Sequence, residues 1–166
     1  MEERKSSLHV VLLEPEIHWN TGNAGRTCLA AGATLHLVGP LGFSLEEREI
    51  RRAGLDYWDR VHPVVWKSWE DFEPRLPDLG EAFFFSAQGT RPYWDVAYPE
   101  PCVLVFGRES TGLPQAIREK HAHNFLSMPQ PGDRSVRSLN LSTAVALAVY
   151  EVLRQRHGAE PLERGP

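Results

Sequence analysis

The most constraining feature of the sequence is a helical segment near its end that is apolar on nearly every side. This segment, Leu141–Arg156, follows a short polar stretch that contains Ser138 and Asn140, and it opens with Ser142 and Thr143. A helix without a polar face has to be buried in a core or against a partner subunit. Hydroxyl and amide groups beside the free N–H groups of a first turn are suited to hold a polar ligand. The sequence therefore predicts a buried last helix that begins beside a binding site.

Two earlier segments have a similar organisation, in which a β-like run leads through a polar loop into a helix. They are Asn20–Arg26 and Phe106–Pro114. Three loops of this kind predict one composite site. We expect Arg26 one turn into its helix, at the C-terminal edge of the sheet, where open α/β sheets bind ligands and where a guanidinium can pair with a phosphate or carboxylate. The alternative interpretation is a capped strand-to-helix turn with a surface arginine.

The order of the elements predicts an α/β fold built on a parallel sheet. Several β-like runs are apolar on both faces, as in strands covered by helices on both sides. The predicted strands are Leu8–Leu13, Leu35–Val38, Val61–Trp66, Ala82–Phe85, Cys102–Phe106 and Phe125–Met128. The predicted helices are Asn23–Ala31, Ser44–Ala53, Trp69–Leu76, Pro114–Lys120 and Leu141–Arg156. We expect a single domain over residues 8–156, with flexible ends at residues 1–7 and 157–166.

Composition excludes several classes of protein. A chain of 166 residues with 42% hydrophobic and 24% charged residues is typical of one soluble globular domain. Cys28 and Cys102 stand in apolar surroundings and are expected to be buried thiols, which fits a cytoplasmic location. The sequence contains no apolar run of about 20 residues that would span a membrane, and no signal-peptide core follows Met1–Lys5. The net charge of −4 argues against non-specific coating of nucleic acid, although a local basic face remains open.

Common nucleotide and metal motifs are absent from the sequence. The loop at Phe106–Pro114 lacks the spacing of a phosphate-binding loop, and no dinucleotide-binding glycine motif follows the first strand. The histidines do not form a metal-binding motif, so we expect no metal, and no serine-hydrolase elbow is present. Glu109 is either a solvated loop acid or a carboxylate that orients a ligand.

The three polar loops, taken in order, resemble the motifs of a known superfamily. N-T-G-N-x-x-R, L-V-F-G-x-E-x-x-G-L-P and S-L-N-L-S-x-A-V-A-x-x-V-Y-E are similar to the three motifs of SPOUT-superfamily RNA methyltransferases. Within that superfamily the chain resembles the small single-domain tRNA 2′-O-methyltransferases that modify a wobble cytidine or uridine. The resemblance extends from about Leu8 to Gln155, with a longer connection at Gln130–Arg137. It implies an α/β fold with a C-terminal trefoil knot.

The resemblance also implies a cofactor and a set of site residues. S-adenosylmethionine is expected to be the methyl donor. The expected cofactor contacts are Phe85, Gly107, Met128, Ser138 and Leu139. The expected residues of the reacting centre are Arg26, Asn20, Glu109, Asn140 and Ser142. We expect Arg26 to orient a phosphate and stabilise charge rather than to act as a base, because a guanidinium stays protonated.

Basic side chains and the apolar last helix suggest partners. Arginines that cluster on one helix or lie near the motif loops are candidates for tRNA phosphates, although a solvated helix face is the alternative. These residues are Arg48, Arg51, Arg52, Arg134 and Arg137. Relatives dimerise through the first and last helices, so we expect a homodimer that holds the tRNA anticodon arm. Other functions remain open: a methyltransferase acting on ribosomal RNA, a non-catalytic RNA-binding factor with this fold, and a domain for another nucleotide-like small molecule.

Overall fold

A parallel sheet forms the centre of the molecule. The computed structural model describes residues 6–45 and 57–158. The strands in these ranges are β1 (Leu8–Leu13), β2 (Thr34–Val38), β3 (Val64–Trp66), β4 (Glu81–Phe85), β5 (Arg91–Pro92), β6 (Cys102–Phe106) and β7 (Phe125–Ser127). Their order across the sheet is β3-β2-β1-β6-β4-β7-β5, and each neighbouring pair is parallel. The predicted α/β class with a parallel sheet is therefore confirmed.

Helices cover both faces of the sheet. The described helices are α1 (His18–Ala31), α2 (Trp58–Val61), α3 (Trp69–Phe72), α4 (Leu76–Leu79), α5 (Gln115–Lys120) and α6 (Leu141–His157). Short 3₁₀ turns lie at Glu73–Arg75, Tyr93–Asp95 and Ala122–Asn124. On one face the sheet packs against α1 and α6 through side chains such as Cys28 and Val149. On the other face it packs against α3, α4 and α5 through Phe72, Leu76 and Ile117.

The central strands are buried because both of their faces are apolar. All six residues of β1 and all five of β6 are buried. Alternate β1 residues enter the two cores, with Val10 on the side of α1 and α6 and Val11 on the side of α3 to α5. Burying apolar surface on both sides of a sheet is the main favourable contribution to folding. The predicted strands Leu8–Leu13 and Cys102–Phe106 have the observed bounds.

The predicted beginning of the first helix was wrong. The helix starts at His18 rather than Asn23, so that the segment Asn20–Arg26 is helical and not a loop. Neither Asn20 nor Thr21 caps it, since its N-cap residue is Ile17. Arg26 consequently lies in the third turn of α1 and not in the first. The helix ends at Ala31, and the cap residue Gly32 adopts a left-handed conformation with φ of 72°.

Other bounds differ by less. A strand was predicted over Val61–Trp66. Val61 is instead the last residue of α2, and β3 begins only at Val64. The helix predicted over Trp69–Leu76 is α3, a 3₁₀ turn and α4 in succession, and prolines at Pro74 and Pro77 lie in the first turns of the two later pieces. The predicted helix Ser44–Ala53 lies almost wholly outside the described residues, as do Arg48, Arg51 and Arg52.

One face of the last helix is buried in the chain's own core, as expected, and burial of its other apolar side against a partner subunit stays a prediction. Val145, Val149 and Val152 are inaccessible to solvent in the core of the single chain. Leu147 and Tyr150, by contrast, are 41% and 53% exposed. The helix therefore has one face in the chain's own core and one apolar face toward solvent.

Both cysteines are free and buried, as expected. Burial raises the pKa of the Cys28 thiol to about 12, which keeps it protonated. No helix in the described part of the chain is long and apolar enough to cross a membrane. The trefoil knot implied by the resemblance stays a prediction.

Candidate active site

A cleft of about 600 Å³ opens at the carboxyl ends of β4, β6 and β7. Its walls are formed by the segments that follow these strands, beginning with Phe85 and Phe106, together with the polar stretch before α6. In a parallel sheet the carboxyl ends of neighbouring strands meet at one edge, which brings together segments that are distant in sequence. All five predicted cofactor contacts line this cleft: Phe85, Gly107, Met128, Ser138 and Leu139.

One wall of the cleft is apolar. The rings of Phe85 and Phe106 stack with centroids 4.6 Å apart and planes inclined by 12°. Met128, Leu139 and Leu113 also line the cleft. Apolar walls with a few fixed polar groups are typical of sites for small organic cofactors.

The loop after β6 is a tight closed turn. Arg108 and Gly112 exchange two backbone hydrogen bonds, with N···O distances of 3.2 and 3.0 Å. Any Cβ atom at Gly107 would lie far inside van der Waals contact with the backbone of Gly112 and Leu113. A glycine is thus required at position 107 because the backbone of Gly112 and Leu113 passes so close to it. A larger residue there would disturb the loop itself and not only a ligand in the cleft.

A hydrogen-bonded chain of side chains joins the three motif segments. Asn20, which is buried, donates from Nδ2 to Glu109 Oε1 at 3.3 Å, and its Oδ1 accepts from Asn140 Nδ2 at 2.9 Å. The Oδ1 atom of Asn140 accepts from the backbone N–H groups of Ser142 and Thr143 at 3.0 and 3.3 Å, which makes Asn140 the N-cap of α6. The first turn of α6 is therefore capped by the chain itself.

Glu109 fixes the start of α1. Its carboxylate accepts the backbone N–H groups of Glu16 and Ile17, at 2.8 and 3.1 Å. Glu109 is half-buried and accepts hydrogen bonds from Glu16, Ile17 and Asn20, but not from Arg26. It is therefore not the solvated loop acid of the alternative interpretation. Its position favours a role in holding Asn20 and the start of the helix.

Two further contacts dock the segment before α1 onto the loop after β6. Glu16 Oε1 accepts from the hydroxyl and backbone N–H of Ser110, at 2.6 and 3.2 Å, and these bonds lower the pKa of Glu16. Arg108 forms an ion pair with Glu14. Together with Glu109 these contacts fix one side of the cleft.

The structure does not bring every predicted residue to the cleft of a single chain. Arg26 is exposed and does not line it; its guanidinium lies 5.5 Å from the centroid of the Tyr57 ring. Ser142 and Arg134 do not line it either, although the Ser142 hydroxyl donates to Asn140 at 2.6 Å. Arg137 does line the cleft.

Some lining residues were not predicted. Ser86, Ala87 and Gln88 follow β4, and Arg118 lies on α5. The first three carry no motif, so that only the end of a predicted strand could have indicated them. Arg118 looks like an ordinary surface residue of a short helix. Residues 6–45 and 57–158 contain no group of three or more His, Cys, Asp or Glu side chains placed to hold a metal ion.

Comparison with known proteins relates this chain to a family. The model of the SpoU rRNA Methylase family matches residues 7–150. A tRNA (cytidine(34)-2′-O)-methyltransferase of Burkholderia pseudomallei is 42% identical over 150 residues, which cover 89% of this chain and 94% of the relative.

Solved structures agree with this relationship. One, described as giving structural insights into the 2-OH methylation of C/U34 on tRNA, superimposes with a TM-score of 0.84 at 44% identity, covering 91% of this chain and 97% of the other. An AdoMet-bound rRNA methyltransferase from Sinorhizobium meliloti superimposes with a TM-score of 0.76 at 26% identity, covering 93% of this chain and 58% of the other.

Proposed function

The chain belongs to the SpoU rRNA methylase family, and on this premise we propose that it methylates the ribose 2′-oxygen of nucleotide 34, a cytidine or uridine, in tRNA. The observation that carries the proposal is the 42% identity to a tRNA (cytidine(34)-2′-O)-methyltransferase over nearly the full length of both chains. The cleft, with the hydrogen-bonded side chains of Asn20, Glu109 and Asn140 beside it, is where we expect this reaction to occur.

The cleft fits S-adenosylmethionine, which supplies a methyl group on a positively charged sulfur. Its volume of about 600 Å³ lies within the range of roughly 300–1,000 Å³ that is typical of small-molecule sites. Phe85, Met128 and Leu139 offer apolar surface to an adenine ring. The loop that follows β6, from Gly107 to Leu113, forms one side of the space that the cofactor would occupy.

The residues of the chain mainly have to align the reacting groups. Asn20, Asn140 and Glu109 hold the loops that form the cleft, and such positioning can lower a barrier by removing the entropy cost of alignment. Arg26 stabilises negative charge that develops on the 2′-oxygen or orients a neighbouring phosphate, since a guanidinium is a poor proton acceptor. The Ser142 hydroxyl supports Asn140.

A homodimer would bring Arg26 to a cleft. Trp19, Arg26 and Leu29 are spaced so that they share one face of α1, and all three are exposed. Leu147 and Tyr150, three residues apart, form the exposed apolar face of α6. Apolar helix faces of this kind favour a twofold interface. We place Arg26 of one protomer at the cleft of its partner in such a dimer.

The exposed segment Gln130–Ser138 supports contact with the anticodon arm. All nine of its residues are exposed, and they include Arg134 and Arg137. Arg137 and Ser138 also line the cleft, so that the segment runs along its rim. Guanidinium groups there can bind phosphates while a single-stranded loop nucleotide enters the cleft.

The activity can be tested with labelled S-adenosylmethionine and tRNA transcripts. We expect label in the RNA, and nuclease mapping should place a 2′-O-methyl group at nucleotide 34. A transcript whose nucleotide 34 already carries a 2′-O-methyl group is the matched control and should accept no label. Transfer to ribosomal RNA but not to tRNA would support the alternative of an rRNA enzyme. Firm RNA binding without transfer would indicate a non-catalytic factor.

A further inference from the structure

A second cavity adjoins the cleft and is not explained by the cofactor. It has a volume of about 520 Å³ and lies between the segment after β4 and helix α5. Gln88 and Arg118 line both this cavity and the cleft, so the two spaces share a border. The remaining polar lining comes from Thr90, Gln115 and Glu119.

Arg118 lies at this border with a buried side-chain nitrogen, Nε, that finds no acceptor among the described residues. The other charged lining residue, Glu119, accepts a hydrogen bond from Gln115 Nε2 at 2.9 Å. A buried guanidinium nitrogen without an acceptor is unfavourable, and a ligand in the adjoining cavity can supply the acceptor.

Arg156 shows the ordinary structural use of a partly buried arginine in this fold. Its Nε atom also lacks an acceptor among the residues described, but its two terminal nitrogens donate to Ser7 at 3.0 and 2.9 Å. The Arg118 side chain has no hydrogen bond of this kind to any residue that the structure describes. The difference indicates that the Arg118 guanidinium serves a ligand rather than the fold.

We propose that the second cavity holds a nucleotide adjoining the methylated one, with its phosphate on Arg118. A guanidinium binds phosphate oxygens through paired hydrogen bonds, and the Gln88 amide and Thr90 hydroxyl can add neutral contacts to phosphate or sugar. The cofactor and the methylated nucleotide share the cleft, which leaves the second cavity for a neighbouring nucleotide. This proposal rests on the proposed function and specifies how that substrate is held.

The test compares Arg118→Ala with Arg75→Ala. Arg75 is exposed, pairs with Asp78 at 3.4 Å and lines neither cavity, so its loss removes the same charge elsewhere. Binding of tRNA is titrated at several salt concentrations, and binding of S-adenosylmethionine is measured by calorimetry. For Arg118→Ala we expect weaker tRNA binding, a salt slope reduced by about 0.7–0.9, a raised KM for tRNA and an unchanged cofactor affinity. Arg75→Ala should keep the wild-type slope.

Two results would overturn the proposal. Equal salt slopes for the two variants would show that Arg118 contacts no phosphate. A loss of cofactor affinity with unchanged tRNA binding would assign Arg118 to the carboxylate of S-adenosylmethionine instead. Arg118→Gln, which keeps most of the side-chain volume, carries the same comparison if the alanine variant is poorly folded. Wild-type enzyme that transfers no methyl group to tRNA would contradict the proposed function, and this control is read separately in the same experiment.

Discussion

The Asn140 side chain couples the start of α6 to α1 through a single amide. Its oxygen caps two backbone N–H groups of α6, and its nitrogen donates to Asn20. Asn20 in turn donates to Glu109, which holds the start of α1. These hydrogen bonds link the three motif segments through two asparagine side chains and one carboxylate.

Replacing Asn140 should therefore reduce both stability and activity. For Asn140→Ala we expect the free energy of unfolding to fall by about 1–2 kcal/mol, because a helix cap is lost and the buried Asn20 oxygen loses its donor. Denaturant unfolding measures the change. Ser142→Ala is the control, since Asn140 keeps its backbone partners there; an equal loss in both variants would contradict this account.

A buried histidine pair makes the fold sensitive to acid. Trp66 Nε1 donates to His36 Nδ1 at 3.1 Å, and His36 Nε2 lies 3.1 Å from His9 Nδ1. Burial, with a smaller contribution from His9, lowers the pKa of His36 to about 4. The neutral His36 thus accepts a hydrogen bond from Trp66 and donates one to His9. Protonating either acceptor nitrogen would break the hydrogen bond that it accepts.

The sign of the pH dependence follows from this lowered pKa. The unfolded chain binds a proton at His36 near pH 6.5, whereas the folded chain does so only near pH 4. The contribution of His36 to the free energy of unfolding is fully present above about pH 6.5. It is lost as the pH falls toward 4, by up to about 1.4 kcal/mol per pH unit. Unfolding free energies measured between pH 7 and pH 5 should show this slope. His36→Gln should reduce this slope, with a remainder from His9, whose pKa burial also lowers. A substitution at the exposed His123 should leave the slope unchanged.

At the scale of elements, α6 has one face in the core and one toward solvent. Leu147→Asp, on the exposed face, should dissociate the proposed dimer and leave the monomer folded. Val149→Asp, two residues further on, should unfold the chain because it buries a charge in the core. Light scattering for mass and circular dichroism for folding separate the two effects. A Leu147→Asp protein that stays dimeric would remove this face of α6 from the interface.

The elements that could be predicted from sequence are those whose signals are local. β1 and β6 are apolar on both faces, and their bounds were predicted as observed. The start of α1 was missed because Asn20, Gly22 and Gly25 have low helix propensity, and the group that stabilises this start is Glu109, about 90 residues away. The buried face of α6 was predicted, but its exposed Leu147 and Tyr150 could not be distinguished from core residues by pattern alone.

The same division holds for the candidate site. The family resemblance implied that Phe85, Gly107, Met128, Ser138 and Leu139 lie together, and all five line one cleft in the structure. Arg118 was not predicted, because a single arginine on a short helix has no signal in sequence. Its importance becomes visible only when the segment after β4 lies beside it.

At the scale of the whole molecule, the proposed dimer makes a complementation test possible. Arg26→Ala should abolish transfer while cofactor binding persists, whereas Ala87→Trp should block the cleft at an exposed lining position. When the two inactive variants are unfolded and refolded together, mixed dimers contain one intact cleft that faces one intact Arg26. About a quarter of wild-type activity should return. Mixtures that remain inactive while mixed dimers form would place Arg26 at the cleft of its own chain.

The position of β1 also has a consequence for protein synthesis. β1 leaves the ribosome before the strands it pairs with, yet it lies in the middle of the sheet and pairs with β6, whose residues follow more than 90 positions later. The cleft further needs the segment before α6, which is translated after all of the described strands. A growing chain can pair β1 with β2 but exposes the other edge of β1 until β6 has been made, and it should gain cofactor affinity only after the segment before α6 has been translated. Stalled nascent chains that end before residue 138 should bind no S-adenosylmethionine and should depend on chaperones until release.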